Sequence, residues 1–183
     1  HCRMSVVLLA DPAEYPLTLA EAKTQCGVEG PDFDSELEVL LAAATGSLES
    51  FTGLSLARRR WRLVLDGWAD AIELPRGPER NVDAVRYFDA TGFRRTLPQE
   101  IYSLDLAQRP QWLLRNASAS WPALGVNLNG IEIDCDCGFG ADCPAELKVA
   151  IKLLVHKLFE GCASSDAQAL AETLAMPFRR ILI

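Results

Sequence analysis

The cleanest periodicity in the chain runs from Asp34 to Gly53, where Leu37, Leu40, Leu41, Ala44, Leu48 and Phe51 fall on one stripe of an α-helix. Glu36, Glu38, Ser47, Glu49 and Ser50 fall outside that stripe, which makes Glu36, Glu38 and Glu49 its acidic, outward side. Asp34 or Ser35 is expected to cap the start, and Gly53 to end the helix in a left-handed conformation. A shorter helix precedes it, opening at Thr18 and ending near Gly27; Thr18 and Glu21 have the spacing of a capping box. Before both lies a short apolar run, Val6 to Leu9, followed by the turn-prone Asp11-Pro12.

After Gly53 the period shortens to two. Trp61, Leu63 and Leu65 alternate with Arg62 and Val64, and Ile72-Glu73-Leu74 follows as a second strand. The segments 82–88 and 93–97 flank Asp89-Ala90-Thr91-Gly92 as a hairpin. Segments 101–106 and 112–114 are further strands, and 116–130 reads as an irregular loop. Ile131, Ile133, Cys135 and Cys137 alternate with Glu132, Asp134 and Asp136, which predicts a half-buried strand with the carboxylates turned to solvent. Helical period returns after Pro144, with a stripe of Leu147, Ile151, Leu154, Val155 and Leu158 and a stop at Gly161. Ser164 or Ser165 can cap a last helix through Leu174.

Helices, some eighty residues of strand, then helices again predict an α+β fold, a small helical bundle carrying an inserted antiparallel β-domain. The bundle is discontinuous, residues 4–59 and 141–183, and the insert spans 60–140. On this reading the stripe of the long helix packs against the helix after Pro144, a hundred residues downstream.

Composition narrows the function more than it names it. The chain has 183 residues, 49% of them hydrophobic, which suffices for a real core. With 25 acidic against 18 basic residues its net charge is -7, the wrong sign for wrapping a nucleic acid, though compatible with DNA sliding past an acidic wall. No apolar run reaches the 18 or so residues of a membrane span. Met4 reads as the natural start, without a signal peptide, so the six cysteines are expected to stay reduced.

Four features could carry chemistry. Cys135, Cys137 and Cys143 could form a small zinc-binding module, yet the C-x-C spacing is not that of a zinc ribbon, and the thiols continue the inward set of a strand. Asp134, Asp136 and Asp142 could hold calcium or form a carboxylate site, but lack the EF-hand pattern and read as solvated faces. His156 lies between apolar neighbours with no nucleophile motif beside it, and Arg58-Arg59-Arg60 is a basic run suited to a phosphate or to a solvated junction. Trp61, Trp68, Trp112 and Trp121 all fall in the strand block and predict its core. The end of the chain, Met176, Pro177, Phe178, Arg179, Arg180, Ile181, Leu182 and Ile183, is apolar and basic; it either tucks onto its own domain or is donated to a neighbour.

The order of these patterns resembles the head–tail connector, or adaptor, proteins of bacteriophages and gene-transfer particles. The likeness rests on Thr18-Leu19-Ala20-Glu21-Ala22-Lys23, Glu49-Ser50-Phe51-Thr52-Gly53, the strand from Trp61 to Asp66, Ile72-Glu73-Leu74-Pro75 and Val85-Arg86-Tyr87-Phe88-Asp89 with Gly92. It continues through Tyr102-Ser103-Leu104-Asp105, Trp121-Pro122, Gly138-Phe139-Gly140 and Pro177-Phe178-Arg179. The resemblance implies a structural virion component, not an enzyme and without a cofactor, made in the bacterial cytoplasm. It also implies a ring, commonly twelvefold though monomeric when isolated, beneath the portal protein. Such a ring joins a downstream neck or tail-completion protein and extends a channel that DNA crosses without specific binding. Residues 176–183 are then a candidate portal-docking arm, and Glu36, Glu38 and Glu49 candidates for a ring interface or channel lining.

Overall fold

A computed structural model describes residues 3–74, 76–107, 110–125, 128–161 and 165–180. The chain divides into two compact units, each assembled from separated stretches: residues 13–58 with 139–183, and residues 1–12 with 59–138.

The first unit is helical. Helix α1 (Leu19–Cys26) opens with the expected capping box, Thr18 accepting from the Glu21 N–H while the Glu21 carboxylate accepts from the Thr18 N–H, and ends at Gly27 with φ 67°. Helix α2 (Asp34–Thr52) ends at Gly53, φ 74°. Its N-cap is Phe33, with no side-chain cap; instead of capping, Asp34 pairs with Lys23 of α1 at 2.5 Å. Helix α3 (Ala145–Phe159) and helix α4 (Ser165–Ala175) complete the unit. Leu37, Leu41, Ala44 and Leu48 of α2 are buried in one cluster with Leu147, Ile151, Leu154 and Val155 of α3, so the long helix does pair with its sequence-distant partner. Leu158 does not join them: at 43% exposure it lies outside the stripe it continues in sequence. Ser164, one of the two expected caps of α4, lies outside the described residues, and Ser165 is already in the helix.

The second unit is a sandwich of two antiparallel sheets. Five strands, β1 (Met4–Leu8), β2 (Arg59–Leu65), β4 (Glu79–Phe88), β5 (Arg94–Thr96) and β8 (Ile131–Cys137), form a sheet in the order β1-β2-β8-β4-β5. β3 (Ala71–Leu74), β6 (Tyr102–Asp105) and β7 (Gln111–Arg115) form a smaller one in the order β3-β7-β6. Leu63, Val85, Ile131 and Ile133 of the larger sheet share a core with Ile72, Leu74 and Leu113 of the smaller. Gln111 ties the two sheets: its Oε1 accepts from the Glu79 N–H at 2.7 Å and its Nε2 donates to the Glu79 carbonyl at 3.1 Å.

The strand pairings move one domain boundary. Met4–Leu8 pairs with β2 along its whole length, Met4 opposite Leu65 and Leu8 opposite Trp61, so residues 4–12 belong with the sheets rather than with the bundle. The physical reason is that a short apolar run of this kind has no periodicity to declare a partner, and a central β2 flanked only by β8 offers an open edge. The β-insert accordingly begins at residue 59 but takes its outermost strand from before the first helix.

Candidate functional site

The candidate residues scatter over the two units, and their surroundings differ from the sequence expectation in instructive ways. Cys135 and Cys137 are buried in the sheet core, as the alternation predicts, whereas Cys143 is buried in the core of the helical unit. A hydrogen bond to Cys135, and burial, push the Cys137 thiol far up; burial raises Cys143 to about 12. Thiols held protonated in this way are poor zinc ligands, since a metal requires the thiolate. Among the described residues no three His, Cys, Asp or Glu side chains converge as a metal site. His156 is partly exposed, its Nε2 3.3 Å from Glu160 one turn on, a helix-surface pair.

Asp134 corrects the expectation of a solvated carboxylate. It is only 3% exposed. Arg62 of β2 grips it with two hydrogen bonds, Nε to Oδ1 at 2.6 Å and Nη2 to Oδ2 at 2.9 Å, and Arg86 of β4 adds a third at 2.5 Å. Burial pushes its carboxyl upward, but the two guanidinium groups outweigh that and leave it below the usual range. Glu132, one pair along β8, bridges to Arg62 at 3.5 Å and to Arg94 of β5. The polar face of the sheet is thus a ladder of opposite charges across four strands, which covers the carboxylates instead of presenting them. The strand pattern places these residues on the outward face correctly; it cannot say that arginines from both neighbouring strands close over them.

Glu49 corrects a second expectation. It is buried, 8% exposed, and its Oε1 accepts the backbone N–H groups of Leu56 and Ala57 at 2.7 and 3.0 Å. It is therefore neither a ring-interface nor a channel-lining acid; it satisfies the buried backbone of the turn that follows α2. Glu36 and Glu38 are exposed as expected, and Glu38 borders a groove of about 540 Å³ with Glu14, Tyr15, Leu17, Leu19, Glu21 and Lys148. Of the arginine run, Arg60 pairs with Asp83 at 2.8 Å.

The apolar, basic tail is described as far as Arg180, and that part lies on its own helical unit. Met176–Phe178 forms a single 3-10 turn after α4, and Phe178 packs against the helical core. The Arg179 guanidinium stands 5.3 Å from the centre of the Phe51 ring, and the Arg180 N–H donates to the Thr52 carbonyl at 2.8 Å. The end of α2 is thereby the seat of the tail. Ile181, Leu182 and Ile183 lie outside the described residues.

The tryptophans are not simply core. Trp68 and Trp121 stack, and Trp68 also meets Tyr87 at 6.0 Å. The indole N–H of Trp68 donates to the Pro122 carbonyl and that of Trp121 to the Ala69 carbonyl. These contacts pin the loop around Trp121 and Pro122 against the turn after β2.

Comparison with known proteins follows this geometry closely. Residues 16–90 match the family model for the Phage gp6-like head-tail connector protein. Among solved structures, the fold matches a chain from the neck of an empty GTA particle computed with C6 symmetry, with a TM-score of 0.79 at 24% identity over 98% of this chain and 97% of that one. A chain from the neck of a native GTA particle computed with C12 symmetry is 27% identical over the same shares, TM-score 0.75. A chain from the virion of a native gene transfer agent particle is 26% identical over 97% of this chain and 96% of that one, TM-score 0.76. No curated protein sequence matches. A connector family model over α1, α2 and strands β2 to β4, together with GTA chains matched over nearly the full length, supports a structural head–tail connector role for this protein.

Proposed function

We propose that the protein acts as a ring of identical copies between head and tail of a phage-like particle, docked beneath the portal protein and followed by a neck or tail-completion protein. The observation that carries this reading is the full-length likeness to chains of GTA necks that were computed with sixfold and twelvefold symmetry. On it the protein resides in the virion, is made in the bacterial cytoplasm, and works by shape and contact, not by catalysis. The net charge of -7 suits a channel through which DNA passes without being held.

In this reading residues 176–183 form the portal-docking arm. Arg179 and Arg180 rest on the end of α2, so this part anchors the arm to its own chain.

Electron microscopy of the protein mixed with its portal tests the reading: a ring seated on the portal is expected, and portals left bare under conditions where tailed particles form would refute it. Deleting residues 181–183 should weaken portal binding while leaving the fold intact. Unchanged binding would remove the arm from the account without touching the ring.

A further inference from the structure

The five-stranded sheet has two open edges, and their chemistry is unusual for a chain that stays single. On one side, the Leu9 N–H donates to the Arg60 carbonyl and the Asp66 N–H to the Arg3 carbonyl. With Ser5 opposite Val64 and Val7 opposite Arg62, the odd residues of β1 turn their amides to β2, so Met4, Val6 and Leu8 turn theirs outward. No other described strand meets that rim. Edge strands are ordinarily guarded by a lysine, a proline, a bulge or an inward charge. Met-Ser-Val-Val-Leu has none of these, its register with β2 is unbroken, and Met4, Val7 and Leu8 are 51%, 48% and 42% exposed.

The opposite edge is also unpaired among the described strands, although β5 is short and carries two arginines. The Leu97 N–H donates to the Val85 carbonyl and the Asp89 N–H to the Phe93 carbonyl, so the odd residues here face β4 and the amides of Arg94 and Thr96 point away. Arg94, Arg95 and Thr96 are all exposed, and Phe93, at the head of the strand, is 66% exposed. Every neighbouring pair in the order β1-β2-β8-β4-β5 is antiparallel, so the two edge strands of one sheet run in the same direction.

Two open edges with the same sense are what a head-to-tail contact needs. Rotation about an axis along the strands preserves strand direction, and brings the β5 rim of one copy against the β1 rim of the next as a parallel pair, with exposed apolar side chains on both sides to bury. An isologous β1–β1 contact would instead make a closed antiparallel dimer and leave β5 unused. We propose that the copies of this chain join through β1 of one and β5 of the next, so that their five-stranded sheets continue edge to edge around the ring. The inference rests on the ring reading above and adds the surface through which the ring closes.

Leu8→Pro and Thr96→Pro test it, because each removes one outward N–H and no hydrogen bond within the sheet. Particles are assembled with wild-type protein or either variant, and the necks are imaged; circular dichroism and melting of the purified chains check folding. Wild-type necks with rings, and necks without rings for both folded variants, are expected. A complete ring with either folded variant overturns the edge pairing and spares the ring, a ring lost with Leu8→Pro alone being the mark of β1–β1 or portal-strand pairing. Wild-type necks without a ring overturn the ring reading and this inference together. Should a proline variant not fold, a Val7→Cys/Thr96→Cys chain treated in assembled necks with a short bismaleimide decides: a ladder of multimers absent from both single variants is expected, and its absence refutes the pairing.

Discussion

The indole rings of Trp68 and Trp121 lie 4.5 Å apart and within 8° of parallel, joining the turn after β2 to the middle of a loop fifty residues downstream. The stack and the two indole N–H bonds hold the middle of this loop, which also meets the end of β4 at the bridge between Asp89 and Leu124. Replacing Trp121 by alanine should destabilise the protein by about 2 kcal/mol, the sum of lost partial burial and the aromatic pair. Chemical denaturation measures the loss, and faster proteolysis within 116–130 locates it.

Asp134 stands between two arginines, so removing it leaves both guanidinium groups without their shared partner. Asp134→Ala should cost about 3 kcal/mol, as for breaking a part-buried ion pair from one side. Asp134→Asn should cost less, since its amide oxygen still accepts from Arg62. Equal losses in a denaturation series would show that the charge alone carries the effect and that the retained acceptor contributes nothing.

The same site sets an acid limit. Asp134 has a folded-state pKa below its unfolded value, and so does Glu21, held down by the Thr18 backbone N–H of the capping box. The stability these groups contribute is therefore fully present above the unfolded carboxyl range of about 4 and is lost as pH falls through the folded values. Melting temperature should stay flat from pH 7 to 5 and fall steeply below pH 4, and Asp134→Asn should make that fall shallower.

Glu49 serves two backbone donors whose residues, Leu56 and Ala57, are both fully buried. Glu49→Ala strands both N–H groups and should cost about 3 kcal/mol, whereas Glu49→Gln keeps an acceptor and should cost about 1 kcal/mol. Hydrogen exchange at the Leu56 and Ala57 amides should quicken in the alanine variant alone.

Gly125 passes so close to β4 that a Cβ would lie 2.0 Å from the Asp89 carbonyl oxygen. Since the obstacle is backbone, Gly125→Ala must push the loop off the strand, losing the Gly125 N–H to Phe88 carbonyl bond. A loss of about 2 kcal/mol is expected, with the Trp68–Trp121 stack disturbed and tryptophan fluorescence shifted to the red.

Elements whose signals are local are legible in the residues alone. The stripes of α2 and α3, the capping box at Thr18, the stop at Gly53 and the inward run from Ile131 to Cys137 each depend on a period or a cap within a few residues, and each is present. The alternation of helix, strand and helix also specified the discontinuous bundle and the inserted sheets, and the order of these patterns pointed to the connector family. Tertiary structure decided whatever depends on a partner distant in sequence. Met4–Leu8 became a sheet edge because β2 had an open side; Asp134 was covered because Arg62 and Arg86 arrived from two other strands; Glu49 turned inward because the chain after Gly53 doubled back with two unsatisfied amides. A period of 3.6 or 2 states which way a side chain points, but not what comes to meet it.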